Sequence, residues 1–232
     1  MNYLASLPNA ISGNEILVFS LDLIVSPELL SDCRDALSED ERIRAARFRV
    51  ENVRDEFVAA RGFLRGLLSR FTGVPPTDIR ITLSPLGKPS ASGGIAFNLS
   101  HSGHRAVFAL TRATEVGVDL ERFRIIVDWP RLARQFLCAE EWQALMELPP
   151  ADQPRAFVTC WTRKEALSKA SGIPLETVLR QVPVGYRPTQ NGGFLIDDAG
   201  SGWMIEEVDI GSDFACSLAH RSAGAIVKVY NL

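Results

Sequence analysis

The chain has 232 residues, enough for one large domain or two modest ones with a sizeable apolar core, and its 46% apolar and 23% charged residues exclude disordered and fibrous classes. A net charge of -3 argues against binding duplex nucleic acid, which draws its affinity from many Lys and Arg neutralising phosphates. Cys33, Cys138, Cys160 and Cys216 lie far apart without CxxC spacing, and neither a signal segment nor a membrane-length apolar stretch is present, so a soluble cytoplasmic protein with reduced thiols is expected, with no nucleic-acid or membrane partner.

Residues 16–23 form a short apolar run, the pattern of a buried strand. Ser26-Pro27-Glu28 then opens a helix: Ser offers a capping oxygen, Pro fits the first helical position, and Glu suits the positive end of the dipole. Ser38 followed three residues later by Glu41 predicts a capping box and a second helix. Phe57, Arg61, Leu64, Leu68 and Phe71 recur at helical intervals, and Gly73 with Pro75-Pro76 predicts where that long helix stops. Short β-like runs follow at 79–83, 95–99, 106–110 and 116–121, separated by Gly, Ser and Pro turns. Helical patterns return at 130–137, 140–148 and 154–170, and strand patterns at 203–208, 214–219 and 226–230. This order predicts an α+β protein of two halves, residues 1–112 and 113–232, meeting near 111–115.

Three segments carry candidate chemistry. In Val116-Gly117-Val118-Asp119-Leu120-Glu121, period-two alternation sends Asp119 and Glu121 to one face. Neighbouring carboxylates repel unless a proton or cation intervenes, and a hard divalent ion is a common solution; two solvated acids at a strand end are the plainer alternative. In Trp161-Thr162-Arg163-Lys164-Glu165-Ala166-Leu167-Ser168-Lys169, the spacing of four puts Trp161, Glu165 and Lys169 on one helix face. Glu165 could then be a third ligand or a base, or simply form a surface pair with Lys169. Finally, Gly87-Lys88-Pro89 precedes Phe97-Asn98-Leu99-Ser100-His101-Ser102-Gly103, which is predicted to leave a strand and enter a turn where hydroxyls, backbone N–H groups and an imidazole can meet an anion. Of the basic residues Arg47, Arg54, Arg61 and Arg65, Arg61 stands out as a possible contact and the rest fit a solvated face.

Taken in order, the Gly-Lys-Pro turn with the Phe-Asn-x-Ser-His-Ser segment, the Gly-Val-Asp-Leu-Glu strand and the Trp-x-x-Lys-Glu-x-x-x-Lys helix resemble the 4′-phosphopantetheinyl transferases of the Sfp type, the long single-chain class. The resemblance implies two similar α+β halves in pseudo-twofold arrangement, with the active site in the cleft between them. It implies a magnesium-dependent holo-[acyl-carrier-protein] synthase that moves the phosphopantetheine arm of coenzyme A onto a serine of an apo acyl or peptidyl carrier protein and releases 3′,5′-ADP. Carried over by motif, Asp119, Glu121 and Glu165 look like metal ligands, with Glu165 and Lys169 also in catalytic roles. Ser100, His101, Lys88, Pro89, Lys164, Lys169 and, less directly, Arg61 look like contacts to coenzyme A. The family's carrier-binding surface would fall on residues 122–133, including Phe123, Ile125, Ile126 and Trp129. A monomer is expected, since one chain supplies both halves. A magnesium-dependent nucleotide phosphodiesterase and a non-catalytic carrier-binding module remain alternatives at this point.

Overall fold

The computed structural model describes residues 7–84, 87–113, 115–124, 127–185, 193–196, 202–222 and 224–232. The first strand, β1 (Glu15–Asp22), is buried on both faces. Its continuous apolar run is what such a position requires. α1 (Pro27–Asp35) starts at Ser26, whose Oγ accepts the Leu29 N–H at 3.3 Å. α2 (Glu39–Ala46) begins with the expected Ser38–Glu41 capping box. α3 (Glu51–Thr72) ends at Gly73, whose φ of 74° is left-handed backbone that glycine adopts without penalty.

The β2 (Ile81–Leu83) and β3 (Pro89–Ala91) strands form a small hairpin, followed by β4 (Ala96–Ser102) and β5 (Arg105–Thr111). Next come β6 (Val116–Arg122), α4 (Trp129–Phe136), α5 (Ala139–Met146), α6 (Gln153–Ser171) and α7 (Leu175–Gln181). β7 (Gly193–Ile196), β8 (Trp203–Glu207), β9 (Phe214–His220) and β10 (Ile226–Asn231) complete the chain. The protein is α+β, as predicted. Three short elements, β3, α7 and β7, were not evident in the sequence pattern.

Two four-stranded sheets organise the fold, in the orders β10-β1-β5-β4 and β6-β9-β8-β7. The last strand returns to the first sheet and runs parallel to β1, with Val18 opposite Val229. One face of the first sheet, with Leu17, Phe19, Phe97 and Phe108, packs against Phe63, Leu64 and Leu67 of α3. The other face, with Ile16, Val18, Val107 and Ala109, shares a core with Val116, Val118, Leu120, Cys216 and Leu218 of the second sheet. The far face of the second sheet, with Ile205, Ala215 and Ala219, packs against α6 through Ala166 and Ala170. The layers therefore run helix, sheet, sheet, helix. Both inner sheets are buried on two sides, which explains the unbroken apolar runs in β1, β5 and β6. Among the described residues, no helix is long and apolar enough to cross a membrane.

Candidate active site

The site lies where the edge strands β4 and β6 of the two sheets come side by side. Alternation along β4 turns Asn98, Ser100 and Ser102 toward β6 and Phe97, Leu99 and His101 toward α3. Asn98 Oδ1 accepts the Val118 N–H at 2.9 Å, Ser100 Oγ that of Leu120 at 3.3 Å, and Ser102 Oγ that of Arg122 at 3.1 Å. The Ser-His-Ser segment is therefore strand, not the predicted turn, which comes one step later at Gly103 and His104. The physical reason is long-range: hydroxyls that would favour a local turn are instead used by β6 N–H groups about 20 residues away.

Asp119 is buried, at 4% exposure. Its Oδ1 accepts from Ser100 Oγ at 2.9 Å and from Lys169 Nζ at 2.6 Å, while its Oδ2 is buried with no partner. Glu121 accepts from Ser102 Oγ at 2.8 Å. Ser100 Oγ also receives Lys169 Nζ at 3.2 Å, so its one proton and both lone pairs are in use within the protein. Ser100 thus holds Asp119; the sequence expectation had been contact with a coenzyme A phosphate.

Glu165 and Lys169 reach this seam from α6 because the helix backbone lies directly on β6 at Gly117. A Cβ built there would sit 2.2 Å from the Ala166 carbonyl oxygen and 2.4 Å from the Ala170 nitrogen. Only glycine permits that approach. Burial first, then the charge of Asp119 and more weakly that of Glu121, raise the Glu165 carboxyl above the ordinary carboxylate range; Lys169 opposes them. Asp119, Glu121, Glu165 and Lys169 are therefore brought together. Among the described residues, no three His, Cys, Asp or Glu side chains stand in a ready metal-binding cluster.

The residues expected to touch coenzyme A divide between two cavities. His101 and Arg61 line one of about 380 Å³, with Arg44, Phe48, Phe57 and Leu99. Arg61 is held there by Glu41, Nε to Oε1 at 2.6 Å, and Glu41 also pairs with buried Arg65. Arg44 lies 5.0 Å from the centroid of the Phe57 ring. Lys88 and Pro89 line the other cavity, of about 370 Å³, with Asn98, Ser168 and Lys169. Lys88 pairs with Glu115 and donates to the Ala170 carbonyl at 2.7 Å. Lys164 is in neither. Its ammonium is fully buried, 2.9 Å from Glu141 and donating to the carbonyls of Leu179 at 3.0 Å and Val182 at 2.7 Å. It fastens α6 to α5 and α7 and does not face the seam. Helix arithmetic distinguishes the two lysines: Lys169 is four residues from Glu165, whereas Lys164, one residue away, is rotated by about 100°.

Asn98 and Gly117 lie inside the motifs without an assigned role, Ser102 is read there only as a turn hydroxyl able to meet an anion, and Arg44 is not singled out. Alternation of Asn98, Ser100 and Ser102 was the available signal for a polar strand face. Nothing in the local pattern marks Arg44.

Beside Glu121, an apolar groove of about 180 Å³ is lined by Leu132, Phe136, Phe157, Val158 and Trp161, with Arg122 and Arg124 at its edge. Phe123 is covered by the Arg155 guanidinium at 3.7 Å, and Trp129 packs toward Phe157 with ring centroids 6.4 Å apart. Ile125 and Ile126 lie outside the described residues.

An acid cluster on the seam of two sheets, with lysine- and arginine-lined cavities beside it, suits transfer of a phosphate-linked group. Comparison with known proteins agrees. The model of the 4′-phosphopantetheinyl transferase superfamily matches residues 115–219. The 4′-phosphopantetheinyl transferase HetI of Nostoc sp. is 33% identical over 183 residues, 77% of this chain and 77% of that protein. The 4′-phosphopantetheinyl transferase Sfp of Bacillus subtilis is 26% identical over 188 residues, 79% of this chain and 83% of that protein. The 4′-phosphopantetheinyl transferase AcpT of Salmonella typhimurium is 37% identical over 110 residues, 47% of this chain and 56% of that protein. The chain belongs to the 4′-phosphopantetheinyl transferase superfamily.

Proposed function

We propose that the chain transfers the 4′-phosphopantetheine arm of coenzyme A to a serine of an apo acyl or peptidyl carrier protein, releasing 3′,5′-ADP. The observation that carries this reading is the convergence of Asp119, Glu121, Glu165 and Lys169 on one seam, with Asp119 Oδ2 buried and unpartnered. An orphaned buried carboxylate oxygen, beside a Glu whose carboxyl is raised by burial first and then by its acidic neighbours, is a site short of positive charge. A hard divalent cation with oxygen ligands fits that donor set. Asp119, Glu121 and Glu165 would hold magnesium, which when bound neutralises charge on the coenzyme A diphosphate.

The remaining work falls to side chains. Arg61, Arg44 and His101 supply a positive, aromatic-walled cavity suited to the nucleotide end of coenzyme A. Lys88 and Lys169 add positive potential on the other side of β4. Phosphoryl-type transfer requires alignment and charge neutralisation more than covalent help from the protein. Glu165, whose carboxyl is raised above the ordinary carboxylate range by burial and then by the charge of Asp119, is suited to take the proton from the carrier serine Oγ as that oxygen bonds to phosphorus and the bond to 3′,5′-ADP breaks. The groove beside Glu121, apolar with an arginine edge, suits an acceptor protein presenting an apolar patch with acidic neighbours. A monomer suffices, and cysteines far apart in the chain without CxxC spacing fit the reducing cytoplasm.

Incubation with coenzyme A, magnesium and an apo carrier protein tests this reading. The carrier should gain the mass of one phosphopantetheine and 3′,5′-ADP should accumulate in equal amount. Cleavage of coenzyme A with no change in any of several carriers would instead indicate hydrolysis.

A further inference from the structure

The seam between β4 and β6 is built from side chains. Each strand lies at the edge of its own sheet, and an edge strand leaves every second N–H without a strand partner. On β6 the N–H groups of Val118, Leu120 and Arg122 are taken up by Asn98, Ser100 and Ser102. The serines do something further that asparagine does not. By accepting an N–H, each hydroxyl has its oxygen fixed, and its one proton is directed at the carboxylate one residue earlier on β6: Ser100 to Asp119, Ser102 to Glu121. The two acids of the Asp-x-Glu pair are thus each clamped by the opposite half of the protein. Asp119 has a second holder in Lys169. For Glu121, Ser102 is the side-chain partner the structure provides.

We infer that Ser102 is a positioning residue for Glu121, holding its carboxylate in register with Asp119 and thereby setting the affinity of the acid site for a divalent cation without contacting that cation. The inference rests on the assignment of Asp119, Glu121 and Glu165 as cation ligands made above. Its physical basis is preorganisation. A glutamate has three side-chain torsions to immobilise on binding, and a hydroxyl fixed by the Arg122 N–H removes that freedom beforehand. Partners of this kind, one bond removed from the ligand, typically alter metal affinity by about 10- to 100-fold.

Magnesium titrated calorimetrically into the full chain in the presence of coenzyme A tests this directly. Ser102→Ala should weaken magnesium binding about 10-fold or more, and excess magnesium should recover its turnover. Ser102→Thr keeps the hydroxyl on a residue that favours strands and should retain wild-type affinity. Ser102→Cys, close in size with a weak S–H donor, should show the same loss as alanine and serves if the alanine variant does not fold. Thr111→Val breaks a buried hydrogen bond to the Glu15 carbonyl, away from the carboxylates and both cavities, so its unfolding midpoint should fall while magnesium affinity stays at the wild-type value. Wild-type affinity in both Ser102→Ala and Ser102→Cys would overturn the inference. Equal weakening in Thr111→Val and Ser102→Ala would also overturn it, by tracing the effect to lost stability and not to the held carboxylate. A wild-type chain that binds no magnesium would instead overturn the underlying ligand assignment.

Discussion

Replacing Gly117 by alanine tests how tightly the two elements that carry the acid cluster are coupled. The added Cβ would meet α6 backbone on three atoms, at 2.2 Å from Ala166 O, 2.4 Å from Ala170 N and 2.9 Å from Ala170 Cα. Backbone of a buried helix cannot swing aside as a flexible side chain can. To restore ordinary contact, α6 and β6 must separate by about 1 Å, and overpacking of this kind costs about 1–3 kcal/mol. The functional effect should be larger than the loss of stability suggests. Glu165 and Lys169 ride on α6, whereas Asp119 and Glu121 ride on β6, so the separation opens the acid site itself; misplacement by about 1 Å costs on the order of 100-fold in rate. Urea unfolding gives the first quantity, and the initial rate of carrier modification at saturating coenzyme A gives the second. A folded Gly117→Ala protein with a rate within about threefold of wild type would refute the coupling, because a shift of this size cannot leave an aligned transfer intact.

Other consequences are measurable separately. Burial alone would raise the Glu41 carboxyl, but the Arg61 and Arg65 guanidiniums outweigh it and hold it below the ordinary range. A lowered carboxylate contributes stability that is present above its unfolded pKa of about 4.3 and is lost as pH falls through the folded value. Glu41→Gln should therefore cost about 3 kcal/mol at neutral pH, with the gap from wild type closing in acid titrations of the unfolding midpoint. It should also raise the KM for coenzyme A, since Arg61 loses its anchor in the cavity proposed for the nucleotide end. Lys164→Met leaves Glu141 buried without its cation and should destabilise by about 3–5 kcal/mol, most of it regained in the Lys164→Met/Glu141→Gln double variant. The KM of that double variant for coenzyme A should match wild type; a large rise would return Lys164 to the phosphate site.

The sequence made the layout of elements legible where a segment carries its own signal. Ser26, Ser38 and Gly73 mark helix ends by local chemistry, and the structure uses each of them in that way. Period-two alternation also put Asp119 and Glu121 on one face, and the spacing of four put Glu165 with Lys169. What could not be read locally is the meeting of β4 and β6. Ser100 and Ser102 look like turn residues until the N–H groups of Leu120 and Arg122 arrive beside them. For the same reason Gly117 looked like one more small residue in a strand, because its constraint comes from a helix about 50 residues further on. Arg44 joins the His101 cavity only through the packing of α2 beside Phe57. Lys164 is a different case: the helix period alone separates it from Lys169, and the motif resemblance overrode that information.

The most direct test of the acid seam is the time course of carrier modification by Glu165→Gln beside wild type, with coenzyme A binding measured on both. Glutamine keeps the shape of the side chain but can neither accept the serine proton nor contribute charge to a cation. Turnover should fall by about 100-fold or more, while the affinity for coenzyme A, which the proposed function assigns to the His101–Arg61 and Lys88 cavities, stays close to wild type. Near-normal transfer by Glu165→Gln would contradict the account and remove Glu165 from the chemistry.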